Sequence, residues 1–218
     1  MNDTLSPARS KSKRERTRDA LVAAAEGLFA VRGPDAVSID EITIAAEVAK
    51  GTFYTHFADK DDIERALAGL VRLELEEEVA RVNDGIADAG VRMANGLACY
   101  LSFALRQPTR ARTLLRLQSA GADPQGPINA GLRADVQLGV ESGRFEVVSI
   151  GAAVLIAMGA CVAGIAYLAQ APNTRAQRTA CEIIAMVLRA LGLKTAESKR
   201  LAEAAVTAAF VKGGGKGK

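Results

Sequence analysis

From Arg16 the apolar positions Leu21, Val22, Ala25, Leu28 and Phe29 recur at helical spacing, and the run stops at Gly33-Pro34. Glycine accepts a helix's closing conformation and proline cannot extend the helix, so this pair ends a first helix of about four turns. Ser38 and Glu41 have the spacing of a capping box, in which each side chain bonds the other residue's backbone N–H. Ile39, Ile42, Ala45 and Ala46 then set an apolar stripe, which predicts a second, shorter helix. After a break near Glu47-Val48 comes the run "KGTFYTHFADK", Lys50 to Lys60. Asp59 follows as an N-cap with Asp62 at the third helical position, opening a long amphipathic helix from Lys60 to about Asn83. Two short helices followed by a long one is the order of a helix-turn-helix module.

Further along, the pattern predicts helices over Gly90–Arg106, Pro108–Gln118, Pro127–Ser142, Ser149–Gln170, Arg175–Leu191 and Thr195–Val211. Breakers separate them, notably Gln107-Pro108, "GADPQGP" and "APNT". The span Val147 to Thr174 carries no charge, so by length alone it reaches across a bilayer. Its composition argues otherwise. Ala and Gly dominate, and Gly151, Gly159 and Gly164 contribute little favourable transfer to lipid. Small residues let helices approach closely, so the expectation is a homodimer interface through 149–170 and 175–191 forming a four-helix bundle across a two-fold axis, with no membrane.

With 49% hydrophobic and 24% charged residues, the 218-residue chain is a packed globular protein, and the wealth of Ala and Leu makes it all-α. Net charge is only +3, yet Arg9, Lys11, Lys13, Arg14, Arg16 and Arg18 face a single acid, Glu15, near the start. That local basic arm reads equally as a solvated tail and as a segment attracted to nucleic acid or a membrane surface. Cys99, Cys161 and Cys181 are odd in number, widely spaced and set among apolar residues, which predicts reduced thiols and a cytoplasmic protein. "MNDTLSPARS" has no apolar core of signal-peptide length. No zinc-ligand spacing is present, so no metal or cofactor is expected. An enzyme is not expected either: the one histidine lies in the quoted run and no phosphate-binding Gly-rich loop occurs.

That run also holds three of the nine aromatic residues. On a helical wheel Phe53 and Phe57 share one side, Gly51 and Thr55 the opposite side, and Thr52 and Tyr54 flank them. The two phenylalanines are predicted to pack on the first two helices. The outer face then presents hydroxyls, the bare backbone of Gly51 and the Lys50 cation. Hydroxyls suit phosphates, lysine suits guanine edges, and a residue without a side chain permits close approach to double-stranded DNA.

The stretch "ITIAAEVAKGTFYTHFADKDDI" resembles the second and third helices of the tetracycline-repressor (TetR) family of bacterial transcription regulators. The resemblance is specific over Arg16 to Leu67; beyond that only helical pattern and length agree. It implies an N-terminal three-helix DNA-binding domain and a C-terminal helical domain for effector binding and dimerisation. It divides the chain into a helix-turn-helix domain (16–60) and an effector-binding and dimerisation domain (61–211), while charge and composition mark off a basic disordered arm (1–15) and a flexible tail (212–218). It implies that Lys50 and Thr55 lie near bases, that Thr52, Tyr54 and His56 lie on phosphates, and that Thr43 and Lys60 reach phosphates from the second and fourth helices. Two positions depart from the family pattern: Glu47 stands where glycine is usual, and Ala49 where a serine often caps the third helix.

Release of a repressor from its operator by a small, mainly apolar effector is the implied function; an effector-independent, architectural DNA binder is the alternative. Met93, Leu97, Tyr100, Phe103, Leu114, Gln118, Phe145, Met158 and Cys161 are the expected pocket residues.

Overall fold

The computed structural model describes residues 12–116, 129–170 and 175–213. Among them are ten α-helices and no strand: α1 (Lys13–Arg32), α2 (Ile39–Ala45), α3 (Lys50–Tyr54), α4 (Lys60–Val82), α5 (Ala89–Arg106), α6 (Pro108–Arg116), α7 (Ala130–Glu141), α8 (Ile150–Leu168), α9 (Ala176–Ala190) and α10 (Thr195–Gly213). The all-α expectation holds helix for helix. The chain forms two compact units, the first ending at Leu67 and the second starting at Ala68, both positions being in α4.

α1 starts earlier than expected. Ser12 accepts from the Glu15 backbone while Glu15 accepts from the Ser12 backbone, a second Ser-x-x-Glu box that draws Lys13, Arg14 and Glu15 out of the expected arm into the helix. α1 ends at Gly33, whose φ of 75° is open to glycine and strained for other residues. A short 3-10 turn, Pro34–Ala36, follows. The capping box at Ser38 and Glu41 is formed as predicted, and the Asp59 carboxylate accepts from the Asp62 amide at 2.8 Å.

In the first unit, Leu21, Val22, Ala25 and Phe29 of α1 are buried, as are Ile42, Phe53, Phe57 and Ile63. Phe53 is completely buried and Phe57 nearly so, which confirms the inward side of the wheel. Burial of each such ring stabilises the unit by about 1.5–3 kcal/mol. The Arg18 guanidinium covers the Phe57 ring at 5.0 Å.

In the second unit α5 is central, packing on α6, α7, α8, α9 and α10. Small residues make that possible. A Cβ at Gly164 of α8 would stand 2.6 Å from Leu101 Cδ2 and 3.0 Å from Ile183 Cδ1, so α5, α8 and α9 approach over its bare backbone. Gly164 therefore serves packing within the chain, whereas Gly159 opens onto empty space. Gly139 and Phe145 are a similar pair: the Phe145 ring fills the place of a side chain at 139.

Candidate nucleic-acid interface and ligand cavity

α2 and α3 are joined by a four-residue turn, Ala46 to Ala49. Glu47 has φ 55°, the only described non-glycine residue with positive φ. The turn closes through Val48 N–H donating to the Thr43 carbonyl at 3.0 Å and Glu47 N–H donating to Ile44 at 3.1 Å. Glycine would take that conformation freely, while a side chain there is strained. Ala49 is the N-cap of α3 and supplies no side-chain bond to it. Both departures from the family pattern thus sit at the positions where they alter geometry.

The outer face of α3 assembles much as the wheel requires. Lys50, Gly51, Tyr54 and Thr55 are exposed, and Thr52 and His56 are partly so. A side chain at Gly51 would meet nothing, leaving the backbone open to close approach. Tyr54 is 53% exposed and stands edge-on to Phe53, with ring centroids 5.5 Å apart, so the buried ring orients the exposed one. Thr55 Oγ1 donates to the Thr52 carbonyl at 2.7 Å and retains its acceptor lone pairs. Lys50 is held by Asp40 of α2 at 2.6 Å, and this hydrogen bond raises the ammonium pKa above its ordinary value.

Two expected phosphate contacts are placed differently. Thr43 is only 3% exposed and its hydroxyl donates to the Asp40 carbonyl at 2.9 Å; α2 packs against both α1 and α3, so its buried side extends beyond the Ile42 stripe. Lys60 turns its ammonium inward, donating to the Pro34 carbonyl at 2.9 Å and to Val37 at 3.4 Å. There it satisfies the carbonyls of the 3-10 turn and ties the start of α4 to them.

In the second unit a cavity of about 220 Å³ opens among α4, α5, α6, α7 and α8. Six expected residues line it: Met93, Leu97, Tyr100, Leu114, Met158 and Cys161. Phe103 and Phe145 do not; Phe103 packs beneath the Arg110 guanidinium at 5.9 Å, and Phe145 is spent on Gly139. Gln118 lies outside the described residues.

The cavity is more polar than its expected lining. Glu76 of α4 accepts from Arg72 Nε at 2.9 Å and from the Tyr100 hydroxyl at 2.6 Å, and the Arg72 guanidinium lies 5.2 Å from the Tyr100 ring centre. Opposite them Arg92 Nε donates to Asp135 at 2.7 Å, while its Nη1 donates to the Asn83 and Ile86 carbonyls after α4. Burial pushes the Tyr100 phenol far up. Burial likewise takes the Cys161 thiol to about 12; the surface it keeps faces the cavity rather than bulk water. Asp135 is raised by burial, against the Arg92 hydrogen bond, with the Glu76 charge adding to the rise. These charged residues are spaced like ordinary surface pairs on amphipathic helices, so nothing in the sequence marks them as cavity groups.

α8 is the one described helix long and apolar enough to cross a membrane, by length and composition. Its exposed side is a single stripe of Ala152, Leu155, Ile156, Gly159, Ala163 and Tyr167, without charge. Met186 on α9 is 67% exposed.

Comparison with known proteins fits these features. The family described as bacterial regulatory proteins, tetR family, matches residues 21–67, and the tetracyclin repressor-like C-terminal domain matches residues 88–204. The HTH-type transcriptional repressor BepR of Brucella suis is 39% identical over 69 residues, 32% of this chain and 33% of BepR, so the match spans about a third of that relative. The crystal structure of RolR with the ligand resorcinol has a TM-score of 0.66 at 27% identity, covering 87% of this chain and 94% of RolR. A TetR-family regulator from Pectobacterium atrosepticum also reaches 0.66 at 26% identity, over 85% of this chain and 99% of its own. Regulators of this kind are soluble, non-enzymatic, operator-binding transcription factors that generally act as dimers. With a helix-turn-helix matched at one end and the C-terminal domain over more than half its length, the chain belongs to the TetR family of bacterial transcriptional regulators.

Proposed function

We propose that this regulator is a cytoplasmic homodimeric repressor that reads its operator with α3 and leaves it when a small molecule fills the α4–α8 cavity. The observation that carries the effector part is α4 itself. Its first residue, Lys60, is bonded to the turn that precedes α2, and four turns on the same helix lines the cavity with Arg72, Glu76, Val79 and Ala80. A ligand that shifts α4 acts on a helix rooted in the DNA-binding unit. Recognition helices of a two-fold dimer must lie about 34–36 Å apart to enter successive major grooves, so a small shift misregisters them. RolR, whose structure holds resorcinol, supports a ligand of single-ring size.

The uncharged stripe of α8, with Met186 of α9, supports the homodimer. Left in water it is a contiguous apolar patch of a kind monomers rarely carry. Gly159 and Ala163 would let the partner's helix approach closely. On α3, Lys50 and Thr55 are assigned to base edges, and Thr52, Tyr54 and His56 to phosphates; Thr43 and Lys60 are assigned to the fold of the unit.

The test is selection of bound duplexes from a random pool, followed by fluorescence anisotropy and sedimentation. Lys50→Ala is expected to relax base preference, and Tyr54→Ala to weaken all duplexes and lower the salt slope by about one. Wild-type affinity in both variants at two salt concentrations overturns the α3 assignment. A monomer at micromolar concentration overturns the dimer, and an operator complex that survives every ligand shown to occupy the cavity overturns effector release.

A further inference from the structure

The cavity's own chemistry narrows what it binds. An engineered cavity of about 150 Å³ takes benzene, so about 220 Å³ suits one six-membered ring with substituents rather than a fused system. Met93, Leu97, Leu114, Met158, Val162 and Ile165 supply apolar walls, and the thioethers of the two methionines favour aromatic contact.

Against those walls stand two carboxylates with half of their acceptors in use. One oxygen of Glu76, Oε1, accepts from both Arg72 and Tyr100, and one oxygen of Asp135, Oδ1, accepts from Arg92. The other oxygens, Glu76 Oε2 and Asp135 Oδ2, accept no hydrogen bond from any described residue, although both side chains line the cavity. Glu76 Oε2 lies 3.1 Å from where a Cβ would stand on Gly131, so glycine in α7 keeps room beside that oxygen.

Charge then decides between donors. The charged residues of the described lining are Arg72, Glu76, Arg92 and Asp135, which sum to zero. An anion would meet the open carboxylate oxygens, and a cation would be stripped of water without net negative charge in return. Neutral O–H groups avoid both costs.

We infer that the cavity binds an uncharged single-ring aromatic compound carrying at least two hydroxyls, one donating to Glu76 and one to Asp135. The inference rests on the effector reading of this cavity and adds the ligand's class to it. An O–H donor at Asp135 also favours the ionised carboxylate that burial disfavours.

Calorimetry on the full chain tests it with four probe types: the three benzenediols, their dimethyl ethers, benzylamine and benzoate. At least one diol is expected to bind, its dimethyl ether at least tenfold more weakly, and the amine and benzoate no better than the ether. Glu76→Gln and Asp135→Asn are each expected to weaken the diol at least fivefold. The wild-type ligand series stands alone should either variant fail to fold. An ether, amine or benzoate that binds as tightly as the diol overturns the inference, as does a diol that fails to bind. Operator release is measured in parallel. A diol that binds in the stated order without releasing DNA removes the effector reading and leaves the ligand class standing, whereas release by ether or amine does the reverse.

Discussion

Replacing Glu47 by glycine separates backbone strain from charge at the turn before α3. At φ 55° the glutamate sits in the left-handed region, which costs a non-glycine residue about 1–2 kcal/mol. Glycine removes that strain but loses about 0.5–1 kcal/mol in chain entropy, and the lost negative charge near the start of α3 costs about 0.3 kcal/mol more. The net change in folding is within about 1 kcal/mol, at most a few degrees in Tm. DNA binding responds to charge instead. With one phosphate taken at about 10 Å from the carboxylate, the repulsion in water is about 0.4 kcal/mol before screening. Screening reduces it to about 0.3 kcal/mol at 10 mM salt and about 0.15 kcal/mol at 100 mM. Over the two half-sites of a dimer, Glu47→Gly should tighten operator binding about threefold at 10 mM and less than twofold at 100 mM. Glu47→Gln should reproduce this while keeping the strain. Fluorescence anisotropy on the selected duplex at both salt concentrations, with melting curves on the same samples, reads all of these quantities. Tightening by glycine alone, independent of salt, would show that geometry governs and refute the electrostatic argument. If neither variant differs from wild type, Glu47 lies outside the phosphate field.

Three other outcomes follow from the same unit. Ala49→Ser should add the missing cap of α3 and raise stability by about 0.5–1 kcal/mol in denaturant melts; no gain would mean that the serine hydroxyl does not reach the α3 amides. Lys60→Met should lower stability by about 0.5–1.5 kcal/mol, since the ammonium's bonds to Pro34 and Val37 are lost while Pro34 keeps the Val37 amide, and leave the salt slope of DNA binding unchanged; a slope reduced by about one with unaltered melting would return Lys60 to the phosphates. The Glu41 carboxyl is lowered from 4.5 to about 2, first by the Ser38 backbone amide and then by Arg32. Its contribution is complete above pH 4.5 and disappears as pH falls toward 2, so Glu41→Gln should flatten melting temperature against pH in that window; an identical profile in the variant would refute the linkage.

Local rules made the helices legible. Gly33-Pro34, Ser38 with Glu41 and Asp59 with Asp62 each report on a stop or start within three or four residues, and each is realised. The burial of Phe53 in α3 and of Phe57 just after it follows from periodicity for the same reason. Thr43, Lys60 and the cavity charges depend instead on what another helix or turn brings against them. Thr43 disappears because α1 and α3 flank α2, and Lys60 turns inward because the Pro34 and Val37 carbonyls, 23 to 26 residues away, accept from its ammonium. Arg72 with Glu76 is an ordinary i, i+4 pair until Tyr100 of α5 donates into it. The Ser12–Glu15 box was readable by the rule that found Ser38, but the surrounding positive charge suggested an arm.

That early start of α1 has a consequence for how the basic segment meets a polyanion. A flexible arm can wrap, bringing each cation to its own phosphate at the cost of ordering every residue it uses. Lys13, Arg14, Arg16 and Arg18 are instead fixed on a helix, where Lys13 shares a face with Arg16 and Arg14 shares another with Arg18, and Arg18 already lies across Phe57. Fewer counterions can then be released than the segment has charges. Little conformational freedom remains to be lost when contact is made, so these four residues act less as an adjustable tether than as a short rigid rail with two charged edges.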